Sequence, residues 1–207
     1  RSVMGSRFIT QAMPLVNAEA PLVQSGIPGQ QDRSFEQEYG VHMGALRSPQ
    51  AGIVTKVTPD SIQVKYADGT KETHELYQNF GFNRKTSLHQ TPTVQVGQQF
   101  NQGDLLARSN FTDNEGTTAL GMNARVAYLP DDGHNYEDAI SISESFAKRM
   151  RSEHAYTQQH EWEPGDHQSK KAFISMFPSE YDKRQLANFA DSGVVKEGTT
   201  LRFGDPM

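Results

Sequence analysis

Alternating apolar and polar side chains mark the middle of the chain. The alternation runs through residues 52–57 and again through residues 62–66, and it is typical of half-buried β-strands. Asp68-Gly69 follows and predicts a tight hairpin turn, because both positions tolerate a positive φ. Residues 71–76 can then return as a third strand. The pattern therefore predicts an antiparallel β-meander.

Further strands are predicted beyond the meander. Residues 93–97 are rich in β-formers, and Gly103-Asp104 indicates a turn that leads into a buried strand at residues 105–107. Residues 125–129 predict another strand, which Pro130 ends. This part of the chain is therefore expected to be β-rich as well.

Two helices are predicted near the C-terminus. Ser141 and Glu144 have the spacing of a capping box, so the first helix is expected to begin at Ser141. The second helix is expected to begin at Ser179 and to end at Gly193. By contrast, residues 28–50 are rich in Gly, Gln, Ser and charge, which indicates a linker or an insertion.

Composition narrows the class of protein. The 207 residues include 20 basic and 25 acidic side chains, a net charge of −5, which argues against a free-standing duplex-binding protein but not against a part of a larger nucleic-acid machine. No cysteine is present, which excludes disulfides, thiolate zinc sites and cysteine nucleophiles. The mean hydropathy is −0.70, and no apolar run approaches the roughly 18 residues of a membrane span. Because the first residue is not Met, we expect a processed or excerpted piece.

The densest polar cluster lies between a predicted strand and a predicted helix. Residues 131–138 carry four carboxylates. Oxygen ligands of this kind suit Mg²⁺, whereas the spacing of a calcium-binding loop is missing. The alternative is a solvated acidic turn near a helix N-terminus, where negative charge is favourable. The residues alone leave both interpretations open.

Basic residues near the start provide the complementary charge. Arg1 and Arg7 can bind phosphate, and Gln11 can donate to a sugar or to a base edge. Two arginines near a terminus are equally compatible with an ordinary surface. The chain contains neither Gly-x-Ser-x-Gly nor a phosphate-loop motif, and its histidines lack zinc-site spacing. Nucleophilic hydrolysis and simple nucleotide hydrolysis therefore lose their main support.

Three long, ordered blocks stand out, at residues 4–15 with 20–26, at residues 119–130 and at residues 132–144. In that order they resemble the MGxNMQxQAVPLL…APLVGTG, ALGQNxxVAxMP and xGYNFEDAIxISE stretches of the bacterial RNA polymerase β subunit. Shorter blocks at residues 89–107 and 191–205 follow in the same order. Departures from the family occur at Arg7, Asp131 and His134, where the family has Asn, an aromatic residue and Tyr. They indicate a divergent lineage, for example a viral one.

The resemblance implies a mainly β fold with a few α-helices. It implies a partial double-psi β-barrel with an inserted, barrel-sandwich-hybrid-like β meander. The implied parts are the first part of the barrel region at residues 1–27, the inserted β-rich module at 28–110, a barrel strand, acidic loop and helix at 111–150, and a helix-containing extension toward the flap at 151–207.

The resemblance also implies a function. The chain would be part of a DNA-directed RNA polymerase, a nucleotidyltransferase, and inactive alone. Glu137 and Asp138 match family residues near the second Mg²⁺, which arrives with the nucleotide, and their contact with it would be indirect. Arg1 matches the family's arginine that approaches the nucleoside triphosphate, and Gln11 matches a glutamine near the RNA 3′ end. Arg7 stands where the family has Asn, so it is a candidate for triphosphate binding from its charge and not from the resemblance. An aspartate triad on a β′-like partner would hold the main catalytic Mg²⁺.

The implied partners are the β′-like subunit, the remaining β segments, α-like and promoter-specificity subunits, DNA template, RNA and nucleoside triphosphates, with no membrane. The implied location is the cytoplasm, either at the nucleoid or in a virus-infected cell.

A polymerase-derived scaffold or binding module without catalytic function is the alternative, motivated by the departures within residues 131–136. A carrier-type barrel module is disfavoured because the chain has no Met-Lys pair.

Overall fold

The computed structural model describes residues 2–82, 86–159, 161 and 169–207. Two compact units are formed, one by residues 1–157 and one by residues 158–207. Short strands outnumber short helices, which confirms the predicted mainly β class with a few α-helices. Within the described ranges, no helix has the length and apolar character that crossing a lipid bilayer requires.

Short helices and strands follow one another along the chain. In chain order they are α1 (Ser2–Gln11), β1 (Gly26–Ile27), β2 (Gln30–Ser34), α2 (Phe35–Tyr39), a 3₁₀ helix (Gly40–Met43), β3 (Leu46–Arg47), β4 (Gly52–Val57), β5 (Ser61–Tyr66), β6 (Lys71–Glu75), β7 (Phe80–Gly81), β8 (Ser87–Leu88), β9 (Gln90–Pro92), β10 (Gln99–Phe100), β11 (Leu105–Ser109), α3 (Glu144–Arg149), α4 (Lys170–Met176) and α5 (Lys183–Ala187).

The predicted meander is confirmed. Strands β4, β5 and β6 pair antiparallel in that order, and β10 lies on the other side of β4. Val54 and Val64 are register partners, and each is 1% exposed, because alternate side chains of a strand point to one face. Between β5 and β6, Gly69 has a φ of 90°, and the Thr70 amide donates to Asp68 Oδ1 at 2.8 Å. The Asp-Gly pair therefore forms the predicted turn.

A three-stranded sheet, ordered β3-β11-β9, shares its core with the meander. Gly103 has a φ of 86° just before β11, so the predicted Gly-Asp turn is confirmed. Residues 93–97 are not a strand, because the chain reverses there and the Gln98 amide donates to the Gln95 carbonyl. The buried side chains common to both sheets are Val54, Ile62, Val64, Tyr66, Leu76, Val94, Phe100, Leu106 and Ala107.

Residues 28–50 form folded structure, so the linker interpretation is wrong, and the alternative, an insertion, stays a prediction. They contain β2, α2, the 3₁₀ helix and β3. Ser34 caps α2 through a capping box. Tyr39 and Met43 lie in a second buried cluster with Ile9 of α1, a helix that the pattern did not predict. The few apolar residues of this polar stretch thus face a common core.

Residues 125–129 do not form the predicted strand. They are exposed, and Tyr128 is 97% exposed. A strand requires a neighbouring strand for its backbone N–H and C=O groups, and these residues lie outside the sheets of two, four, three and two strands that the described residues form. The double-psi β-barrel and the division into four parts stay predictions.

The C-terminal helices begin later than predicted. Helix α3 follows Ser143, whose hydroxyl accepts from the Phe146 amide at 3.2 Å, and not Ser141. Helix α5 follows Asp182 and not Ser179, because the Asp182 carboxylate satisfies an amide of the first turn. In both places, a nearby alternative cap takes the role that the spacing assigned to another residue.

An aromatic cluster organises the second unit. The Phe173 ring of α4, a helix that was not predicted, stacks on Phe189 at 4.8 Å and on Tyr181 at 5.3 Å between ring centroids. Phe189 is 1% exposed. The aromatic rings therefore supply the core of this small unit.

Candidate functional site

Residues 131–138, the acidic loop, form tight turns after the exposed residues 124–130. Asn135 holds these turns together. Its Nδ2 donates to the Leu129 carbonyl at 2.7 Å, and its Oδ1 accepts from the Asp131 amide at 3.0 Å. Short amide side chains stabilise turns in this way. The shape of the acidic loop is therefore set largely by its own residues.

Glu137 and Asp138 lie side by side in the acidic loop, and both are exposed. Glu137 has a φ of 56°, in the left-handed region that costs an L-residue roughly 1–2 kcal/mol. Asp132 in the same loop has a φ of 46°, so this backbone strain does not by itself distinguish Glu137. The described residues contain no group of three or more His, Asp or Glu side chains that is arranged to hold a metal ion. The acidic pair thus presents two adjacent carboxylates on the surface of the acidic loop.

Helix α1 presents the predicted basic and amide residues. Arg7 and Gln11 are four residues apart, so they lie on one face of the helix, and both are exposed. On another face, Ile9 is 6% exposed and packs into the core. Gly5 allows a close approach to the 3₁₀ helix, since a Cβ there would lie 2.9 Å from the His42 carbonyl oxygen. Helix α1 is thus packed through one face and leaves Arg7 and Gln11 exposed on another.

These two groups of predicted site residues are not in direct contact. Within the described ranges, no hydrogen bond or ion pair joins Arg7 or Gln11 to Glu137 or Asp138. The predicted position of Arg1 lies outside the described residues. The connection between the groups is indirect and runs through the segment that follows α1.

Residues 12–20, the anchor segment, bond to both flanks of the acidic loop. On the N-terminal flank, the Glu19 amide donates to the Gly121 carbonyl at 2.8 Å. On the C-terminal flank, the Val16 amide donates to the Arg151 carbonyl at 2.9 Å. The helix that carries Arg7 and the loop that carries Glu137 are therefore attached to one short stretch of backbone.

The Glu19 side chain reinforces this attachment. Its Oε2 accepts from the Asn123 amide at 2.9 Å and from Asn123 Nδ2 at 3.2 Å, and its Oε1 accepts from the Arg149 guanidinium. The Asn123 amide and the Arg149 guanidinium hold the pKa of Glu19 below its ordinary value. Sequence reasoning did not select Glu19, because no local spacing reveals partners so distant along the chain.

A cavity of about 820 Å³ opens beside the anchor segment. It is lined by residues of the anchor segment, of β9 and β11 and of 153–157, and the basic side chains His89, Arg108 and His154 are among them. The predicted site residues Arg7, Gln11, Glu137 and Asp138 are not among its lining residues. The predicted site is thus an open surface outside this cavity.

Known proteins are similar to this chain along nearly its whole length. The family model of RNA polymerase Rpb2, domain 6, matches residues 47–207. The DNA-directed RNA polymerase subunit beta of Thermus thermophilus is 36% identical over 205 residues, which cover 99% of this chain and 18% of the relative. The same subunit of Thermus aquaticus is 35% identical over 99% of this chain and 18% of the relative.

A relative of slightly lower identity covers the same share of the chain. The DNA-directed RNA polymerase subunit beta of Corynebacterium glutamicum is 32% identical over 206 residues, which cover 99% of this chain and 17% of the relative. The chain thus spans less than a fifth of the length of these curated relatives. The predicted resemblance to the bacterial β subunit is confirmed, and the chain belongs to the RNA polymerase Rpb2 domain 6 family.

Proposed function

We propose that this chain is the part of a β-like subunit that helps a multisubunit DNA-directed RNA polymerase to bind the incoming nucleoside triphosphate, its Mg²⁺ and the RNA 3′ end. The assembled polymerase is a nucleotidyltransferase, and this part is inactive alone. Arg1 and Arg7 contact the triphosphate, Gln11 contacts the RNA 3′ end, and Glu137 and Asp138 act near the second Mg²⁺.

One observation carries the proposal beyond family membership. Arg7 on α1 and the carboxylates of the acidic loop are all exposed, and both α1 and the acidic loop are attached to the anchor segment. A triphosphate with a cation requires both positive and negative partners. A shared backbone support is suited to keeping such partners at a fixed separation.

The donor set of the acidic loop fits a nucleotide-borne Mg²⁺. Glu137 and Asp138 are adjacent, exposed carboxylates, and Mg²⁺ commonly takes one or two carboxylates together with water and phosphate oxygens. When bound, this ion offsets negative charge on the triphosphate. The carboxylates orient its hydration shell, which agrees with an indirect contact. The main catalytic ion is held by the aspartate triad of a β′-like partner.

The remaining side chains position the reactants. An Arg7 guanidinium can bind two phosphate oxygens at once, so it fixes the direction of the triphosphate. The Gln11 amide lies one helical turn away and donates to the 3′-terminal nucleotide. These groups align the triphosphate with the attacking 3′-hydroxyl, and alignment is the main protein contribution to phosphoryl transfer.

The partners follow from this role. They are the β′-like subunit, the remaining β segments, α-like and promoter-specificity subunits, template DNA and RNA, in the cytoplasm of a bacterium or of a virus-infected cell.

Native affinity purification tests this assignment of partners. We expect a subunit with an Asp-x-Asp-x-Asp motif in fixed stoichiometry, whereas recovery of a β-like subunit without any such partner would overturn it.

Nucleotide addition by the reconstituted polymerase tests the acidic pair. The test variant is Glu137→Gln with Asp138→Asn in the full β-like subunit. The matched control, Asp131→Asn with Asp132→Asn, removes the same charge from the same loop. We expect the test variant to raise the KM for nucleotide about tenfold or more, the equivalent of at least about 1.4 kcal/mol, and to increase the Mg²⁺ requirement. The control is expected to stay within about twofold.

Two outcomes would contradict the proposal. Unchanged kinetics of the test variant at limiting nucleotide would remove Glu137 and Asp138 from the site. Full activity of an assembly that lacks this part of the subunit would favour the alternative, a polymerase-derived scaffold without catalytic function. The departures at Asp131 and His134 motivate that alternative.

A further inference from the structure

The acidic loop belongs to a longer excursion, residues 124–148, which leaves the body of the first unit and returns to it. Residues 124–134 are exposed throughout. Bonds within the excursion are local: Asn135 closes the acidic loop, and Glu144 pairs with Lys148 on α3 at 2.6 Å. The position of the excursion therefore depends on the places where it begins and ends.

The Glu19 side chain joins the start of the excursion to its end. Glu19 Oε2 accepts two hydrogen bonds from Asn123, immediately before the excursion, and Oε1 accepts from Arg149, immediately after it. Asn123 Nδ2 also donates to the Ala20 carbonyl at 2.9 Å. The Arg149 guanidinium also lies over the Phe146 ring, 5.8 Å from its centroid, within the range of a cation–π interaction. We call Glu19, Asn123 and Arg149 the carboxylate joint.

We infer that Glu19 is a positioning residue that holds the acidic loop in place for nucleotide binding by joining the two ends of the excursion. This inference rests on the function proposed above. Glu19 lies outside the acidic loop and acts through Asn123 and Arg149, so it is not a catalytic residue.

The backbone around the joint makes a clean test possible. The Glu19 amide bonds to the Gly121 carbonyl, and the Val16 amide bonds to the Arg151 carbonyl, with no involvement of the Glu19 side chain. Replacing that side chain therefore leaves the flanking backbone pairs in place. What is lost is the direct connection between the start and the end of the excursion.

The experiment compares three single variants in the full β-like subunit of the assembled polymerase. Glu19→Ala removes the joint, and Glu19→Gln keeps an acceptor for Asn123 but loses the charge that binds Arg149. Glu144→Gln is the matched control, because it removes one carboxylate and one ion pair of the excursion away from the joint. Amide exchange of residues 124–142 and the kinetics of single-nucleotide addition are both measured.

We expect Glu19→Ala to speed exchange within residues 124–142 and to raise the KM for nucleotide about three- to tenfold, with kcat changed less than about twofold. Glu19→Gln should give a smaller rise, and Glu144→Gln should stay within about twofold of the parent. Added to the Glu137→Gln, Asp138→Asn variant, Glu19→Ala should raise KM little further, because the two changes act on one element.

The outcomes separate this inference from the proposed function. If the acidic-pair variant raises KM while Glu19→Ala alters neither KM nor exchange, the positioning role is wrong and the proposed function stands. If Glu19→Ala speeds exchange but the acidic-pair variant has no kinetic effect, the proposed function fails and so does the positioning role, although the joint remains. A general rise in exchange with a loss of kcat would show a structural role only, which also overturns the inference.

Discussion

Replacing Gly40 with alanine tests a close approach between two backbone segments of the first unit. A Cβ at this position would lie 1.9 Å from the Gly116 carbonyl oxygen and 3.0 Å from its carbon. Both separations are shorter than the roughly 3.5 Å at which non-bonded carbon atoms attract. The obstructing atoms belong to the main chain, so no side-chain rotation can relieve the clash. The 3₁₀ helix and the loop at residue 116 must therefore move apart.

The cost follows from the contacts that this movement breaks. The Thr118 amide donates to the Glu36 carbonyl at 3.0 Å across the same junction. Forcing extra volume into a packed site costs about 1–3 kcal/mol, and losing one hydrogen bond adds about 1 kcal/mol. We therefore expect Gly40→Ala to lower the free energy of unfolding by about 2–4 kcal/mol.

Urea unfolding of the 207-residue chain, followed by circular dichroism, measures this loss. The matched control is Gly121→Ala, since a Cβ at Gly121 would have no neighbour within 4 Å and its φ lies outside the left-handed region. The control should stay within about 0.5 kcal/mol of the parent. If Gly40→Ala is equally harmless, the described packing of the 3₁₀ helix is incorrect.

Two further predictions concern the cores. Burial and the neighbouring Glu72 raise the pKa of Tyr66 to about 12 from 10.0, so the folded state keeps the phenol proton longer than the unfolded state does. The free energy of unfolding, measured by urea titration, should thus fall between about pH 10 and pH 12. Tyr66→Phe should remove up to about 3 kcal/mol of that fall. The same pH dependence in the parent and in the Tyr66→Phe variant would refute this. Phe189→Ala should destabilise the second unit by about 3–5 kcal/mol. Amide exchange should become faster in α4 and α5, with β5 as the reference. Unchanged exchange in these two helices would contradict the role of the aromatic cluster.

Local patterns predicted the parts of the fold that depend on local physics. The meander follows from period-two alternation and from a turn at Asp68-Gly69 that needs a positive φ. Residues 125–129 carry an equally good strand pattern but require a partner strand, which the pattern cannot supply. Ser141 and Ser143 both precede a helical pattern, and spacing alone did not distinguish the true cap.

The candidate site likewise contains residues that the sequence identifies and one residue that it does not. Sequence blocks identified the exposed residues Gln11, Glu137 and Asp138, because their resemblance to the β subunit is carried by contiguous motifs. Arg7 was selected for its charge, since the family has Asn at that position. Glu19 escaped notice because Asn123 lies 104 residues and Arg149 lies 130 residues further along the chain. Only the fold shows that a single carboxylate meets both ends of the excursion.

The outer strands of the meander sheet also protect the protein from its own copies. An open sheet invites further strands to pair with its unpaired backbone groups. At one edge, β10 is only two residues long, and at the other, β6 exposes Lys71, Glu72 and Glu75. If the β6 strands of two copies paired, their charged side chains would be brought together and would lose contact with water. The short β10 and the charged β6 therefore both disfavour edge-to-edge pairing of this sheet with a second copy.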